Sequence, residues 1–392
     1  MNFRFTEEEE AFRKEVQDYF KEILPADWMG ADPDMYEEDG IEEFFKVGVE
    51  VQRKMGAKGW LGMTWPKKYG GQEAPVMKEV ILEEEINYRG VPGYDAAAFA
   101  QAGLILLFGT EEQKMKYIPP VARGEVRWGL GMSEPNAGSD LFALKTRAIE
   151  EGDYFIINGQ KTWQSAAHHA DYCILYTLTD LDAPKGLGVS GIIVDLHSPG
   201  IEMRRLQLPT GMWAFNEVFY DNVKVPKENL LGKLNEGRKL VMAALGAERG
   251  YGIALLNNSR RYLDMLVDYC KETGAGKDPL IRNKLAQIAV EIEVGRAMCY
   301  RLIWAVTAGL PTIVESSQVK IYGATASQRL ATLGMEILGL YGQLDEKSKW
   351  AKLRGRMKYM YIDTLAMSIA GGTNEVSKNA MAGRGGLELP RG

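Results

Sequence analysis

The middle of the chain carries the stretch Tyr154-Phe-Ile-Ile-Asn-Gly-Gln-Lys-Thr-Trp-Gln-Ser165. β-Branched and aromatic residues dominate its first half, and three further short runs of the same kind follow along the chain. These runs are residues 173–176, 191–194 and 217–220. Asn158-Gly159 predicts a hairpin turn. Because no helical pattern lies between the runs, we predict an antiparallel β domain over residues 126–232.

Helical patterns lie on both sides of this β domain. Residues 1–125 predict a mainly helical domain, whose first helix has Thr6 and Glu9 in capping positions. Residues 233–392 return to long helical patterns joined by short loops, which predict an up-and-down four-helix bundle. Helices are predicted at 41–58, 76–87, 96–108, 111–122, 240–271, from Asp278 onward, and at 313–338 and 348–369. The predicted fold class is therefore α+β in three domains.

Composition excludes several classes of function. The 392 residues contain 47 Lys plus Arg against 53 Asp plus Glu. The resulting net charge of −6 argues against binding to nucleic acid, whose phosphates attract basic proteins. No apolar run approaches the roughly 18 residues that span a bilayer, and the N-terminus lacks a secretory pattern. The three cysteines show no short spacing, so a reduced, cytoplasmic setting is expected.

The chain has three histidines, His168, His169 and His197, which are too few and too badly spaced for the usual metal triads. We therefore expect no metal site. Adjacent side chains in a strand or turn point in different directions, which favours a surface or packing role for His168 and His169 over metal binding or base catalysis. Ser133 lacks the following glycine of a nucleophile elbow. Chemistry must then rest on carboxylates or on a bound cofactor.

Two glycine-rich segments are candidate ligand sites. Glu248-Arg249 lies in a helical pattern among small and apolar residues, where each glycine costs about 1 kcal/mol relative to alanine. Room for a ligand beside a desolvated general base explains these glycines, and a structural ion pair or tight helix packing explains them equally well. Residues 370–375 offer backbone N–H groups and the Thr373 hydroxyl to a polar ligand, or form a plain interhelical turn.

Five segments, in the right order over essentially the whole chain, together resemble the acyl-CoA dehydrogenase family. They are Trp65-Pro-Lys-Lys-Tyr-Gly-Gly71, Gly109-Thr-Glu-Glu-Gln-Lys114 with Tyr117-Ile-Pro119, Met132-Ser-Glu-Pro-Asn-Ala-Gly-Ser-Asp140, Asn158-Gly-Gln-Lys-Thr-Trp-Gln-Ser165 and Gly371-Gly-Thr-Asn-Glu375. The resemblance implies an N-terminal α-helical domain, a central β-barrel domain and a C-terminal four-helix bundle, with FAD held between the last two.

The resemblance also implies the residues that bind the cofactor and the substrate. Those that would contact the flavin are Leu130, Met132, Ser133, Ser139, Trp163, Gln164 and Ser165. Ser165 would lie near flavin N5, and Ser139 would also lie near the pantetheine arm of the substrate. Thr373 and Glu375 would approach the pyrophosphate and adenosine parts of FAD. Glu336 stands where members commonly place a Gln that contacts adenosine across an interface, and Gly339 follows it.

The position of the catalytic base departs from the common pattern. Most members carry a Glu immediately before the Gly-Thr of the last motif, where this chain has Gly371. A minority carry the base on the first long bundle helix, directly before an Arg, and Glu248-Arg249 matches that arrangement. The resemblance thus implies that Glu248 removes the pro-R α-proton while the β-hydride passes to flavin N5, giving a trans-2-enoyl-CoA. The Gly371 N–H and the FAD ribityl 2′-hydroxyl would stabilise the thioester oxygen, and Arg249 would lie in the substrate site.

Partners and substrate follow from the same likeness. It implies an acyl-CoA substrate, an electron-transferring flavoprotein as acceptor, and a homotetramer. Segment 272–277 is shorter than the segment with which members reach a neighbour's FAD. Residues 384–391 resemble those of bacterial members that act on bulky, branched, cyclic or aromatic-derived acyl groups. Two alternatives remain, which are an enoyl-CoA reductase running the reverse reaction and a catalytically silent CoA-ester-binding partner subunit.

Overall fold

The computed structural model describes residues 4–26, 28, 30–31, 33–38, 40–247 and 250–384. Its helices are α1 (Glu7–Ile23), α2 (Ile41–Ala57), α3 (Val76–Arg89), α4 (Ala96–Phe108), α5 (Glu111–Ala122), α6 (Gly237–Ala247), α7 (Gly250–Thr273), α8 (Pro279–Thr307), α9 (Ile313–Leu338), α10 (Arg356–Met367) and α11 (Asn374–Arg384). Its strands are β1 (Trp128–Gly131), β2 (Arg147–Glu151), β3 (Tyr154–Ser165), β4 (Tyr172–Leu178), β5 (Val189–Asp195), β6 (Ile201–Leu206), β7 (Phe215–Pro226) and β8 (Leu230–Leu231). None of the helices in these ranges is long and apolar enough to cross a membrane.

The described residues form two compact units. One comprises those in 1–35, 75–91 and 248–392, and therefore α1, α3 and α7 to α11. The other comprises those in 36–74 and 92–247, and therefore α2, α4, α5, all the strands and α6. The division of the chain at residues 125 and 232 stays a prediction.

The predicted β domain is present in the second unit. Its strands follow the order β6-β7-β3-β2-β4-β5-β8, and the neighbours in this path are antiparallel except at one point. That exception is a parallel contact of β2 with β4 at Arg147 and Leu178. β1 also runs parallel to β4, from Trp128 opposite Tyr172 to Gly131 opposite Leu175. β1 is therefore part of the same sheet, and the loop that follows it meets β3.

The hairpin predicted at Asn158-Gly159 is wrong. β3 continues through these residues. The β3–β7 register shifts between Ile157 and Gly159, and the extra residue of this bulge lies on β7, opposite Asn158. The side-chain oxygen of Asn158 accepts from the backbone N of Asn222 on β7 at 3.0 Å, a long-range contact that holds the extended path. The true hairpin turn is Gly152-Asp153 between β2 and β3, where Gly152 has φ +57°.

The helices of the first unit pack around an apolar core. α7, α8 and α9 are the long members, and residues such as Leu266, Ile292 and Leu330 are buried between them. The bounds predicted for α9 are confirmed. α10 begins later than predicted because Leu353 and Arg354 have positive φ ahead of Gly355. The helix predicted over 240–271 is observed as α6 and α7, and residues 248–249 between them lie outside the described residues.

Candidate functional site

The loop that follows β1 is bound to β3 by hydrogen bonds to its backbone. The Thr162 N–H donates to the carbonyl of Ser133 at 2.9 Å, and Nζ of Lys161 donates to the carbonyl of Met132 at 3.0 Å. Met132 is buried, while Leu130 is partly buried against the apolar core below the loop. These contacts place Ser133 directly beside the second half of β3.

A buried ion pair fixes this loop. Nζ of Lys161 lies 2.9 Å from Oε1 of Glu134, whose carboxylate also accepts from the backbone N–H groups of Lys145 and Thr146 at 2.7 and 3.0 Å. Burial alone would raise the pKa of Glu134, but Lys161 and these hydrogen bonds lower it below its ordinary value. Sequence reasoning gave neither residue a role, although a lysine within a mostly apolar strand is a signal that such a partner exists.

Trp163 has the most unusual backbone at this site. The β3–β7 register shifts between Lys161 and Gln164, and Trp163 within this irregularity has φ +60°. A positive φ is strained for so bulky a residue, and such strain concentrates at ligand sites. The side chain is 57% exposed, with an edge contact to Phe215 at 6.4 Å between ring centroids. The bulge therefore turns a large flat ring outward, and Ser165, two residues further along the strand, is also exposed.

Gln164, between these two exposed residues, faces the interior. Its side chain is fully buried, and a Cβ on Gly129 would lie 2.5 Å from its Nε2, so glycine at that position leaves room for the amide. Its backbone carbonyl accepts from Nδ2 of Asn216 at 3.1 Å. A ligand on the exposed side of β3 can contact Gln164 only through the backbone.

Ser139 lies near the end of the same loop and is exposed. Its neighbour Asp140 pairs with Lys185 at 2.5 Å on the surface. The loop itself is closed by mutual backbone hydrogen bonds between Glu134 and Ala137, each 3.0 Å long. The structure thus brings Leu130, Met132, Ser133, Trp163, Gln164 and Ser165 together around the contact between this loop and β3, with Ser139 on the loop's exposed part.

In the first unit, a buried lysine donates hydrogen bonds to both ends of the turn before α11. Nζ of Lys320, on α9, donates to the Ser368 carbonyl at 3.3 Å and to Oδ1 of Asn374 at 3.0 Å. Between these two anchors, Gly371 and Gly372 have φ of +63° and +83°, a conformation that favours glycine. Residues 368–374 therefore form an anchored turn, not a loose connection.

Thr373 caps the helix that follows. Its Oγ1 accepts from the Val376 N–H at 3.1 Å, and its carbonyl accepts from Ser377 N–H at 2.9 Å. Glu375, in the first turn of α11, is exposed. The Thr373 hydroxyl is thus engaged locally as an acceptor, and its proton stays available for a ligand oxygen.

Glu336 and Gly339 lie at the far end of α9. Glu336 pairs with Lys284 at 2.5 Å, and Gly339 ends the helix with φ +54°. With a rise of about 1.5 Å per residue, Glu336 is about 24 Å along the helix from Lys320 and the turn that it anchors. The structure therefore does not bring Glu336 and Gly339 together with Thr373 and Glu375 in one chain.

Glu248 and Arg249, predicted as base and substrate contact, lie outside the described residues. One glycine that follows them, Gly252, has a packing role, since a Cβ there would lie 2.2 Å from Cγ1 of Val319 on α9. A Cβ at Gly323 would lie 3.4 Å from Cβ of Leu255, an ordinary van der Waals distance, so packing does not require glycine there. At Gly252, close packing of α7 against α9 accounts for glycine.

Comparison with known proteins gives three family-model matches. They are "Acyl-CoA dehydrogenase, N-terminal domain" over residues 6–125, "middle domain" over 129–223 and "C-terminal domain" over 235–386. Acyl-CoA dehydrogenase FadE26 of Mycobacterium tuberculosis is 31% identical, covering 100% of this chain and 99% of the relative. The 3-(aryl)acrylate reductase of Clostridium sporogenes is 31% identical, covering 96% of this chain and 98% of the relative. A solved structure described as Tcur3481-Tcur3483 steroid ACAD is 31% identical over 100% of both chains, with a TM-score of 0.89.

Proposed function

Because the chain belongs to the acyl-CoA dehydrogenase family, whose members are FAD-dependent oxidoreductases, we propose that it oxidises an acyl-CoA thioester to the trans-2-enoyl-CoA. The family supports acyl-CoA dehydrogenation in general. We further propose the residues that perform it, the class of acyl group and the partners, and we keep the three predicted domains, 1–125, 126–232 and 233–392, as its functional parts.

The observation that carries this proposal is the strained, outward-facing indole of Trp163. A flat heteroaromatic ring such as flavin suits an exposed aromatic face with hydroxyl donors nearby, and Ser133 lies on the loop bound to β3 while Ser165 lies on β3 itself. The buried Lys161–Glu134 pair fixes these groups before a ligand arrives. The donor set therefore fits FAD, which when bound accepts the β-hydride of the substrate at N5. Ser139, on the exposed part of the loop, is proposed to contact both FAD and the pantetheine arm.

We assign the base to Glu248. Residue 371, the common place for the base in this family, is a glycine with positive φ and has no side chain that could take a proton. Glu248 precedes Arg249 in the arrangement of the minority members, and we propose that its carboxylate removes the α-proton while Arg249 lies in the substrate site. The turn at Gly371 then serves as a backbone donor to the thioester oxygen.

The anchored turn at residues 368–374 suits the donation of a backbone N–H to the thioester oxygen. Charge develops on the thioester oxygen as the α-proton leaves, and a fixed N–H stabilises such charge better than a mobile one because it needs no reorganisation. Lys320 and the Thr373 cap hold the two sides of the turn. Thr373 and Glu375, at the start of α11, are proposed to contact FAD. Because Glu336 and Gly339 lie far from this turn, they are proposed to contact a different FAD in a homotetramer.

We propose that the acyl group of the CoA thioester substrate is bulky, branched, cyclic or aromatic-derived. This is supported by the similarity to a protein described as a steroid ACAD and to a 3-(aryl)acrylate reductase, whose names refer to cyclic and aromatic compounds. The reductase also favours a second candidate function, in which the same site reduces an enoyl thioester. An electron-transferring flavoprotein is the proposed electron acceptor for the oxidative direction.

The test is anaerobic titration of the purified protein, after its FAD content has been measured, with straight-chain, branched, arylpropionyl and steroid side-chain CoA thioesters. We expect the bulky thioesters to bleach the flavin absorbance and to yield the 2-enoyl product. An FAD-loaded protein that none of them bleaches contradicts the dehydrogenase assignment. Reoxidation of the reduced protein by arylacryloyl-CoA, and not by an electron-transferring flavoprotein, would assign the reductive direction. Failure to bind FAD would favour the silent partner subunit.

A further inference from the structure

Two adjacent histidines meet a glutamate from a distant part of the chain in the second unit. Glu42 lies in the first turn of α2, and His168 and His169 lie in the short 3₁₀ turn after β3. The atoms that these three side chains offer as ligands lie within 4.8 Å of one another. Nε2 of His169 and Oε2 of Glu42 are 3.3 Å apart. Two ligands bound at about 2.0–2.1 Å to a tetrahedral ion would be separated by about the same distance.

The hydrogen bond of His168 determines which of its nitrogens is available. Nδ1 of His168 lies 3.0 Å from Oδ1 of Asn216, while Nδ2 of Asn216 donates to the Gln164 carbonyl. The amide is thereby oriented with its oxygen toward the ring, so Nδ1 of His168 carries the proton and Nε2 presents a lone pair. Metal-bound histidines are typically oriented by a hydrogen bond of this kind from the other nitrogen.

The available nitrogens are buried, and that of His169 faces the Glu42 carboxylate. Nε2 of His168 and Nε2 of His169 are both buried without a hydrogen bond among the residues that the structure describes. Burial lowers the pKa of His168 to about 4 and also lowers that of His169, so both rings are neutral near pH 7, the form that binds metals. Phe45 packs against both rings, with its centroid 4.1 Å from that of His169, and restricts their movement.

We propose that Glu42, His168 and His169 form a binding site for one divalent transition-metal ion of the zinc class. Two imidazoles and a carboxylate suit zinc, copper or nickel, whereas magnesium and calcium prefer oxygen ligands alone. Glu42 is exposed, so the ion can enter from solvent and keep a water as fourth ligand. The ion would join α2 to the turn after β3. Through Asn216 and the Gln164 backbone, it would also stabilise the strand that carries Trp163.

The positive charges around the cluster limit the affinity. Arg205 forms an ion pair with Oε1 of Glu42, and Arg127 lies over the Phe45 ring at 5.2 Å from its centroid. An ion at this site would share the Glu42 carboxylate with Arg205, and both arginines would repel it. Removal of the Arg205 charge should therefore increase the affinity for the ion, whereas loss of a histidine should lower it strongly.

The test is equilibrium dialysis of the FAD-loaded protein, prepared without a histidine tag and treated with chelator, against Zn²⁺, with metal measured by mass spectrometry. We expect one equivalent in the wild type, a loss of about 100-fold or more in affinity in His168→Ala and in His169→Ala, and about tenfold in Glu42→Gln. Arg205→Met should bind more tightly than the wild type. His197→Ala is the matched control, because His197 is exposed and lies outside the cluster, and it should bind normally.

Co²⁺ gives a second readout that does not depend on the variants. Bound to the wild type, it should give the intense visible spectrum of a tetrahedral site, and Zn²⁺ should remove that spectrum. Circular dichroism checks that each variant is folded. A wild type without stoichiometric Zn²⁺, an octahedral Co²⁺ spectrum, or folded His168→Ala that retains full affinity would each overturn the assignment.

Discussion

Nζ of Lys161 on β3 lies 2.9 Å from Oε1 of Glu134, and this pair holds the loop after β1 against the strand that carries Trp163. Lys161 is fully buried and Glu134 nearly so. Breaking a buried pair leaves one charge uncompensated in a poorly solvated place, which costs far more than the loss of an exposed pair. Loop geometry and FAD binding should therefore both depend on this pair.

Lys161→Met should destabilise the protein by about 3–5 kcal/mol, because it leaves the Glu134 carboxylate buried without its cation. Thermal unfolding measures the loss of stability, and the ratio of flavin to protein absorbance measures FAD retention, which should fall as well. Lys185→Met is the matched control, since Lys185 pairs with Asp140 in solvent. It should change stability by less than about 1 kcal/mol. Equal effects of the two substitutions would contradict the role of the buried pair.

Trp163→Gly and Trp163→Ala separate the backbone strain from the aromatic contact. Both remove the ring and should weaken FAD binding about 3- to 10-fold, while Trp163→Phe should retain most of the affinity. Trp163→Gly should be the more stable of the two by about 1 kcal/mol, because glycine adopts φ +60° without strain. Flavin dissociation constants and melting temperatures measure the two effects. Unchanged FAD affinity in Trp163→Ala would show that the ring does not contact the flavin.

Local signals predicted most of the helices. The bounds of α4, α5 and α9 are as expected, because their caps and breakers are neighbours in sequence, such as Thr110 and Gln113, which form the capping box of α5. The hairpin at Asn158-Gly159 failed because its outcome depended on Asn222 of another strand. A local turn signal cannot reveal which strand will pair there.

The candidate site, like the fold, was predicted from the sequence only in part. Motif resemblance selected residues of β3 and of the preceding loop, which the structure does bring together. It could not reveal Lys320, because the contact of that lysine with Ser368 joins two helical segments far apart in sequence. Nor could it reveal Glu42 beside His169, since spacing between ligands is informative only when they lie on one element. The assignments of individual residues to FAD and substrate stay predictions.

Lys320→Met should lower kcat for the acyl-CoA about tenfold or more with little change in KM, because the Gly371 turn loses an anchor and its donor is no longer fixed. Steady-state kinetics normalised to bound FAD measures this split. Lys358→Met is the control and should leave kcat unchanged, because Lys358 on α10 is partly exposed and pairs only with Asp345 among the ion pairs of the described residues. A change in KM alone, or equal effects of both substitutions, would show that Lys320 does not position the donor.

Asp363 gives a pH-dependent prediction. Burial raises the pKa of this carboxyl to about 6, so the folded state favours its neutral form. Its contribution to stability is therefore greatest below the ordinary carboxyl pKa and is lost as pH rises to about 6. Asp363→Asn should stabilise the protein by about 1–3 kcal/mol at pH 8 and little at pH 4. Thermal unfolding at both pH values tests this, and a gain confined to pH 4 would contradict the sign.

The central claim is that Glu248 removes the α-proton. The most direct measurement is the rate of flavin reduction in an anaerobic stopped-flow experiment, comparing Glu248→Gln with the wild type at equal FAD content and saturating acyl-CoA. We predict that Glu248→Gln binds the thioester but reduces the flavin at least about 100-fold more slowly, because the amide cannot accept the proton. A variant that retains its FAD and reduces it at the wild-type rate would contradict the account.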